Sequence, residues 1–586
     1  MAGKAKLLTG NEAIARGAWE AGVQVATAYP GTPSTEILEN IAKYREIYSQ
    51  WSVNEKVALE VASGASIEGA RVLVAMKHVG LNVAADPFMT LSYTGVGGGL
   101  VIVSADDPYM HSSQNEQDNR YYAKMARVLM LEPSDSQEAK DFTIEAFELS
   151  EQFDCPVLLR VTTRISHSRS VVGLGPRKES SKKDYLKDCK KFVMVPAFGR
   201  LRHQEVLNRW DRLVSFSEDS DLGRIYDSGE NKDVGIITSS ISFQYTKEVF
   251  GDIDILKLGL SHPLPEKKIR KFLKNRKKAI VIEELEPFIE EQLKEMDLGV
   301  VIYGKEYFPQ FGELNLGILR KARTKIFGKE KPKKGENKSK NIPNRPPVLC
   351  AGCPHRPVFY VLKKLKVRVM GDIGCYTLSV LPPLNSLDTC LCMGAGVGQT
   401  LGMEKANPDL RGKLVSVIGD STFFHSGITP LVDNIYNGGT NLMIILDNRI
   451  TAMTGHQANP GMGLSLMGKK VPVIWPEKIA ESVGVKNVKV IDPYNIQEFE
   501  EAVKEELARQ DFSVIVARRK CVLLEKEEGD FTVYIEEEDC KACGVCLKFG
   551  CPAIEYREGK YSINGLLCTG CGVCLNICKF GAIKEK

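Results

Sequence analysis

Sixteen cysteines occur in this sequence of 586 residues, and eight of them crowd its end. The first run is Cys540-x2-Cys543-x2-Cys546-x4-Cys551-Pro552, and the second is Cys568-x2-Cys571-x2-Cys574-x3-Cys578. Thiolates are soft, strongly donating ligands that suit iron–sulfur clusters. Three cysteines separated by two residues wrap one cluster, and the fourth ligand comes from the other half. Cys540, Cys543, Cys546 and Cys578 are therefore expected to hold one 4Fe–4S cluster, and Cys551, Cys568, Cys571 and Cys574 a second. Zinc would favour two paired Cys-x-x-Cys units instead. Each half also closes on an Ala-Ile pair, an internal repeat that implies duplicated half-sites. Such a tail conducts electrons, so the rest of the chain must supply or accept them.

A second constellation suits a phosphorylated ligand. Gly419-Asp420-Ser421 follows the apolar run Leu414–Ile418, and Asn448 follows the next such run, Asn441–Leu446. Hard divalent cations take oxygen ligands, and Mg²⁺ commonly bridges them to phosphates. Asp420, Asn448 and a backbone carbonyl near Ile450 are expected to share one Mg²⁺. The stretch Met393–Gly398, with Gly394 and Gly396, would open a helix facing a diphosphate. Carboxyl ends of parallel strands are where α/β folds bind ligands.

The elements that must position these groups read as α/β throughout. Residues 1–165 alternate short apolar runs with helical patterns, as in βα units on a parallel sheet. Residues 166–230 are polar and read as an irregular connector or insertion. Residues 231–328 form a middle α/β unit. Residues 329–347 are Lys-, Asn- and Pro-rich and read as a linker. Residues 348–525 form a further α/β unit, and 526–586 a small α+β cysteine tail. Composition is that of an ordinary globular protein, with 43% hydrophobic and 26% charged residues. A net charge of +4 argues against a polybasic nucleic-acid binder. No apolar run is long enough for a membrane span, and no apolar signal core follows Met1–Lys6. Clustered cysteines in such a chain point to a reducing cytoplasm.

The tail resembles bacterial-type two-cluster ferredoxins, although four residues rather than three precede Cys551. The Gly419-Asp420…Asn448 pattern resembles the Gly-Asp-Gly…Asn motif of thiamine-diphosphate enzymes, with Ser421 in place of the second glycine. Tyr29-Pro30-Gly31-Thr32-Pro33-Ser34 resembles the Tyr-Pro-x-Thr-Pro-Ser signature of the 2-oxoacid:ferredoxin oxidoreductases. The resemblance implies that the chain consists of pyrimidine-type, middle, diphosphate-type and ferredoxin-like domains. It implies that Thr32 lies beside the substrate carboxylate and that Glu55 contacts the aminopyrimidine ring, with Glu60 the nearest rival. Arg120 is a candidate carboxylate clamp, because its fork matches a carboxylate. The polar run Asp106–Asn119 would line the same pocket. The family also implies a third 4Fe–4S cluster on Cys350, Cys353, Cys375 and Cys521, with Cys390 and Cys392 as possible substitutes. Cys155 and Cys189 are left as structural.

Within that family the chain looks most like the alpha (large) subunits that act on indolepyruvate. Cys350-x-x-Cys353-Pro354-His355-Arg356 differs from the Cys-x-x-Cys-Gly of pyruvate-type subunits. Thr451-Ala452-Met453-Thr454-Gly455-His456-Gln457 replaces their Ser-Asn-Thr-Gly-Gly-Gln, setting Met453 where a polar Asn would face substrate. The resemblance implies oxidative decarboxylation of an arylpyruvate with CoA to aryl-acetyl-CoA and carbon dioxide, reducing ferredoxin. It implies a small beta subunit carrying a gamma-type domain, in a heteromer such as a dimer of heterodimers. The alternatives are a related enzyme for a small or branched 2-oxoacid, or a non-catalytic electron-transfer subunit.

Overall fold

The computed structural model describes residues 5–179, 185, 187–228, 231–328, 343, 345–524 and 533–585. The chain divides into two compact units, Met1–Asn337 and Lys338–Lys586. Most of the predicted linker, 329–342 and 344, lies outside the described residues.

The first unit holds a seven-stranded sheet in the order 260–262, 130–131, 157–162, 100–106, 72–77, 25–28, 48–51. All its pairs are parallel except the first. Leu100–Asp106 and Val157–Thr162 are buried along their whole length, as strands covered by helices on both faces must be. Helix Gly10–Glu20 starts at a capping box, in which Thr9 and Glu12 satisfy each other's backbone N–H. It lies against helix Ser136–Phe153, and a Cβ on Gly17 would stand 2.5 Å from the Lys140 carbonyl oxygen. A second sheet, in the order 301–303, 278–282, 231–239, 253–258, 224–226, is parallel apart from its last strand.

The described part of 166–230 is not irregular, in contrast to what its polarity suggested. Strand Arg169–Gly173 pairs antiparallel with Ala5–Thr9, and Pro196–Asp219 is a 24-residue helix. That helix buries only Val206, Arg209, Leu213 and Ser217, too sparse a stripe to register as amphipathic. Its docking is polar: Arg209 donates to the carbonyls of Ser92 and Asp154. Strand Leu260–His262 also crosses the expected boundaries, because it edges the first sheet by pairing with Met130–Leu131.

The second unit is built on a parallel sheet in the order 368–370, 414–419, 442–447, 513–518, 487–491. The cysteine tail adds two antiparallel pairs, Val533–Ile535 with Ile583–Glu585 and Ile554–Arg557 with Lys560–Ile563. Both repeated Ala-Ile pairs are buried. Phe549, Val573 and Ile577 of the tail join one hydrophobic core with Phe359, Val417 and Ile444 of the sheet domain. Among the described residues no helix is long and apolar enough to cross a membrane.

Candidate functional site

In the first unit, chemistry-bearing residues gather at the carboxyl ends of the parallel strands. Strand Val25–Ala28 runs into the turn holding Thr32, and Ser112 Oγ donates to the Thr32 carbonyl at 3.2 Å. Asp107, just past strand Leu100–Asp106, accepts from Ser112 N at 2.9 Å, Ser113 Oγ at 2.7 Å and Thr163 Oγ1 at 2.7 Å. The polar run after Asp106 therefore faces the Thr32 turn. Glu55 opens helix Glu55–Ile67 beneath the N-cap Asn54 and is buried. A Cβ on Gly80 would stand 2.6 Å from Glu55 Oε1, so the glycine leaves that carboxyl room where it lies. Glu60 is instead half exposed on the same helix and pairs with Lys56.

Lys77 is the group that sequence reasoning missed. It ends strand Val72–Lys77, its stem lies 3.2 Å from where a Cβ on Gly31 would stand, and its Nζ donates to the Ser112 carbonyl at 3.0 Å. Burial pulls its ammonium down to about 8, against the opposing charges of Asp107 and Glu55. The available signal was a lysine closing an otherwise apolar strand beside the Thr32 turn.

Arg120 is not free to clamp a substrate. It is 1% exposed, and Asp118 takes its Nε at 2.9 Å and its Nη2 at 2.6 Å. Glu283 takes its Nη1 at 2.5 Å, and the Glu284 and Glu286 carbonyls accept from Nη2. The fork that suits a substrate carboxylate is spent on two buried protein carboxylates. Cys155 is buried, as a structural thiol should be, but Cys189 is exposed at the start of helix Cys189–Phe192 and so packs no core.

In the second unit, strands Leu414–Gly419 and Leu442–Asp447 are neighbours with Gly419 opposite Leu446, which sets Asp420 and Asn448 at adjacent strand ends. Asp420 is buried and accepts from Ser421 N at 2.8 Å and Asn459 Nδ2 at 3.0 Å. Burial, with the charge of Asp447 added, pushes its carboxyl up to about 8. A carboxylate is the kind of oxygen ligand that hard divalent cations take. Asn448 Oδ1 accepts from Ile450 N at 3.3 Å, and its Nδ2 lies 3.4 Å from His355 Nε2. Thr451 Oγ1 donates to Ser421 Oγ at 2.8 Å, tying the two strand-end loops. Helix Ala395–Ala406 begins at Gly394, whose φ of +85° favours glycine and where a Cβ would stand 2.6 Å from the Ser426 carbonyl oxygen. Gly394 N donates to the buried Asp372 carboxylate at 3.1 Å.

The tail cysteines ring two cavities. Cys540, Cys543, Cys546 and Cys578 line one, with Ile535, Phe580 and Ile583. Cys551, Cys568, Cys571 and Cys574 line the other, together with Cys353 and Arg356. Both cavities draw cysteines from both halves of the repeat. Among the described residues no three His, Cys, Asp or Glu side chains converge closely enough to hold a single ion. Cys350, Cys353, Cys375 and Cys521 form a third neighbourhood: Cys375 feels Cys521 and Cys350, and Cys353 feels Cys350 and Cys375. Burial pushes the Cys353 thiol up to about 12 and the Cys375 thiol to about 11. Cys390 and Cys392 stand apart beside Asp372.

Residues 16–197 match the family described as pyruvate flavodoxin/ferredoxin oxidoreductase, thiamine diP-binding. Residues 372–517 match the C-terminal TPP binding domain of thiamine pyrophosphate enzymes, and 532–579 a 4Fe-4S dicluster domain. The chain is 42% identical to the indolepyruvate oxidoreductase subunit IorA of Methanothermobacter thermautotrophicus, over 99% of this chain and 97% of that one. It is 41% identical to the subunits so named from Archaeoglobus fulgidus, over 99% and 98%, and Pyrococcus horikoshii, over 100% and 97%. The chain belongs to the IorA family of indolepyruvate oxidoreductase subunits. The family is one of 2-oxoacid:ferredoxin oxidoreductases, and this member carries thiamine-diphosphate-binding and 4Fe–4S domains.

The residues present fit those groups. A buried carboxylate, an amide and a helix N-terminus gather at the strand ends of the second unit, and eight cysteines wall two cavities. Arg120→Met leaves Asp118 and Glu283 buried without their cation and is expected to cost about 3–5 kcal/mol, read as a lower melting temperature. A melting temperature equal to wild type would contradict the structural role. For Lys77 the folded value, about 8, lies below the ordinary 10.5. The unfolded chain therefore binds more protons between pH 8 and 10.5, and stability rises with pH across that window. Lys77→Met is expected to melt higher than wild type at pH 7, with the gain fading towards pH 10; a constant gain would show that the ammonium is not the cause.

Proposed function

We propose that the chain is the large subunit of an indolepyruvate:ferredoxin oxidoreductase. It oxidatively decarboxylates arylpyruvates with CoA to aryl-acetyl-CoA and carbon dioxide and passes two electrons, one at a time, to ferredoxin. Its partner is a small beta subunit, in a heteromer such as a dimer of heterodimers in the cytoplasm. The observation that carries this reading is one chain joining thiamine-diphosphate-binding domains to a dicluster tail, at 42% identity to a named indolepyruvate oxidoreductase subunit. A purely electron-transferring subunit would have no use for the Thr32–Glu55–Lys77 cluster or for Asp420 and Asn448.

In this reading Asp420, Asn448 and the Ile450 carbonyl hold Mg²⁺, with Gly419 and Ser421 shaping the strand-end loop. Gly394 and Gly396 let the backbone approach the diphosphate. Thiamine diphosphate supplies the nucleophilic carbon and the electron sink that decarboxylation of a 2-oxoacid needs. Glu55 would offer its buried carboxyl to the aminopyrimidine, and Gly80 leaves that carboxyl room. Thr32 orients the substrate carboxylate, and Lys77 supplies the positive charge that Arg120 cannot. Cys540, Cys543, Cys546 and Cys578 bind one 4Fe–4S cluster, Cys551, Cys568, Cys571 and Cys574 a second, and Cys350, Cys353, Cys375 and Cys521 a third. Met453 is 53% exposed in this chain. Its thioether gives an aromatic side chain an apolar wall where an Asn would favour small polar substrates.

The test is anaerobic purification with and without the small subunit, followed by iron, sulfide and thiamine content and dye reduction with indolepyruvate and CoA. The expected result is about twelve irons and one thiamine diphosphate per chain, counted as three four-iron clusters, with faster reduction by indolepyruvate than by pyruvate. Iron without thiamine would overturn the enzyme reading. Glu55→Gln is expected to keep both cofactors and lose about 10²–10⁴-fold in rate, as for removal of a positioned acid–base group. Glu60→Gln is expected to match wild type, and equal losses in the two would remove Glu55 from its role. Met453→Asn is expected to shift the rate ratio from aryl towards alkyl 2-oxoacids, and an unchanged ratio would rule out the apolar wall.

A further inference from the structure

Arg356 is a buried cation whose surroundings are cysteines. It is 3% exposed, begins helix His355–Leu365 beside His355, and lines the cavity walled by Cys551, Cys568, Cys571 and Cys574. Its Nη1 donates to the carbonyl of Gly550, the residue before Cys551, and its Nη2 to the carbonyls of Leu349 and Cys350, the latter at 3.1 Å. It thus spans the Cys350–Cys353 turn and the approach to Cys551. Its Nε is buried and has no partner among the described residues. The groups whose charges act on it are Cys353, Cys551, Cys350 and Cys571. The two turns also touch directly: a Cβ on Gly352 would stand 2.5 Å from Thr569 Oγ1 and 3.6 Å from Cys571 Cβ.

Buried charges are paired, because an unpaired one carries its full desolvation cost. The partners of Arg120 and Arg160 in the first unit are carboxylates at 2.5–2.9 Å. Arg356 has neutral carbonyls and cysteines. Thiolate-ligated iron clusters are anionic and become more so on reduction, and nearby positive charge favours the reduced form.

We propose that Arg356 is the shared counter-charge of two iron–sulfur clusters, the one on the Cys350–Cys353 turn and the tail cluster bounded by Cys551 and Cys571, and that it raises the reduction potential of the tail cluster. The proposal rests on the ligand sets given above. When that cluster takes one electron, one iron passes from ferric to ferrous and the cluster gains one negative charge. The electron originates from the 2-oxoacid and leaves to ferredoxin, and Arg356 changes neither oxidation state nor proton count. Its role is that of a positioning residue acting through fixed charge.

The test is a dithionite titration of the full chain followed by electron paramagnetic resonance, with iron counted in every sample. R356M is expected to keep wild-type iron and to lower one midpoint by about tenfold in its reduction constant, or about 59 mV for a one-electron couple. R356K should recover most of that shift. Phe549→Leu removes the ring lying 5.9 Å from the guanidinium without changing charge and should leave the midpoints in place. Full iron in R356M with unmoved midpoints, or an equal shift in Phe549→Leu, overturns the proposal. If R356M loses iron, R356K must retain it while R356Q loses it; equal loss in R356K overturns the charge argument. A wild-type chain without iron would instead overturn the cluster assignment itself, and this proposal with it.

Discussion

The second unit depends on one continuous hydrophobic core. Val417 and Ile444 of the parallel sheet share it with Phe359 and with Phe549, Val573 and Ile577 of the cysteine tail. Each such side chain contributes about 1.5–3 kcal/mol when fully buried, and close packing transmits its position to its neighbours. Helix His355–Leu365 carries Phe359 into that core, and Cys353, His355 and Arg356 lie at or just before the helix start. The core thus holds the Cys350–Cys353 turn against the Cys568–Cys571 turn, and His355 against Asn448. The parallel sheet whose strands end at Asp420 and Asn448 therefore shares one scaffold with the cysteine tail.

The first unit uses buried ion pairs as well as apolar packing. Arg160 joins Asp106 to Glu132, and Ser239 of the second sheet donates to the same Glu132. Arg120 joins Asp118 to Glu283, which follows strand Lys278–Ile282 of the second sheet. Such pairs are weak sources of net stability, but losing one partner is costly, so they enforce register between the two sheets. The consequence for function is indirect. With both arginines committed, Lys77 remains as a cation beside the Thr32 turn, and burial pulls its ammonium down to about 8.

The sequence by itself determined which residues come together wherever a spacing was itself the constraint. Two Cys-x-x-Cys-x-x-Cys runs with a displaced fourth cysteine predicted cross-half partnership, and the cavities draw Cys578 and Cys551 across in that manner. Gly-Asp after one buried strand and Asn after the next predicted adjacent strand ends, because parallel neighbours present equivalent ends on one side. Apolar runs marked the central strands for the same reason: strands covered on both faces must be apolar throughout. The tertiary structure decided what depends on partners distant in sequence. Arg120 looked like a clamp because its fork fits any carboxylate, and only the fold brings Glu283 to it. Helix Pro196–Asp219 was illegible because it docks through Arg209 and a sparse stripe. Lys77 escapes notice in the sequence and Arg356 stands there only as part of a motif, since a sequence records charge but not the burial that gives a charge its effect.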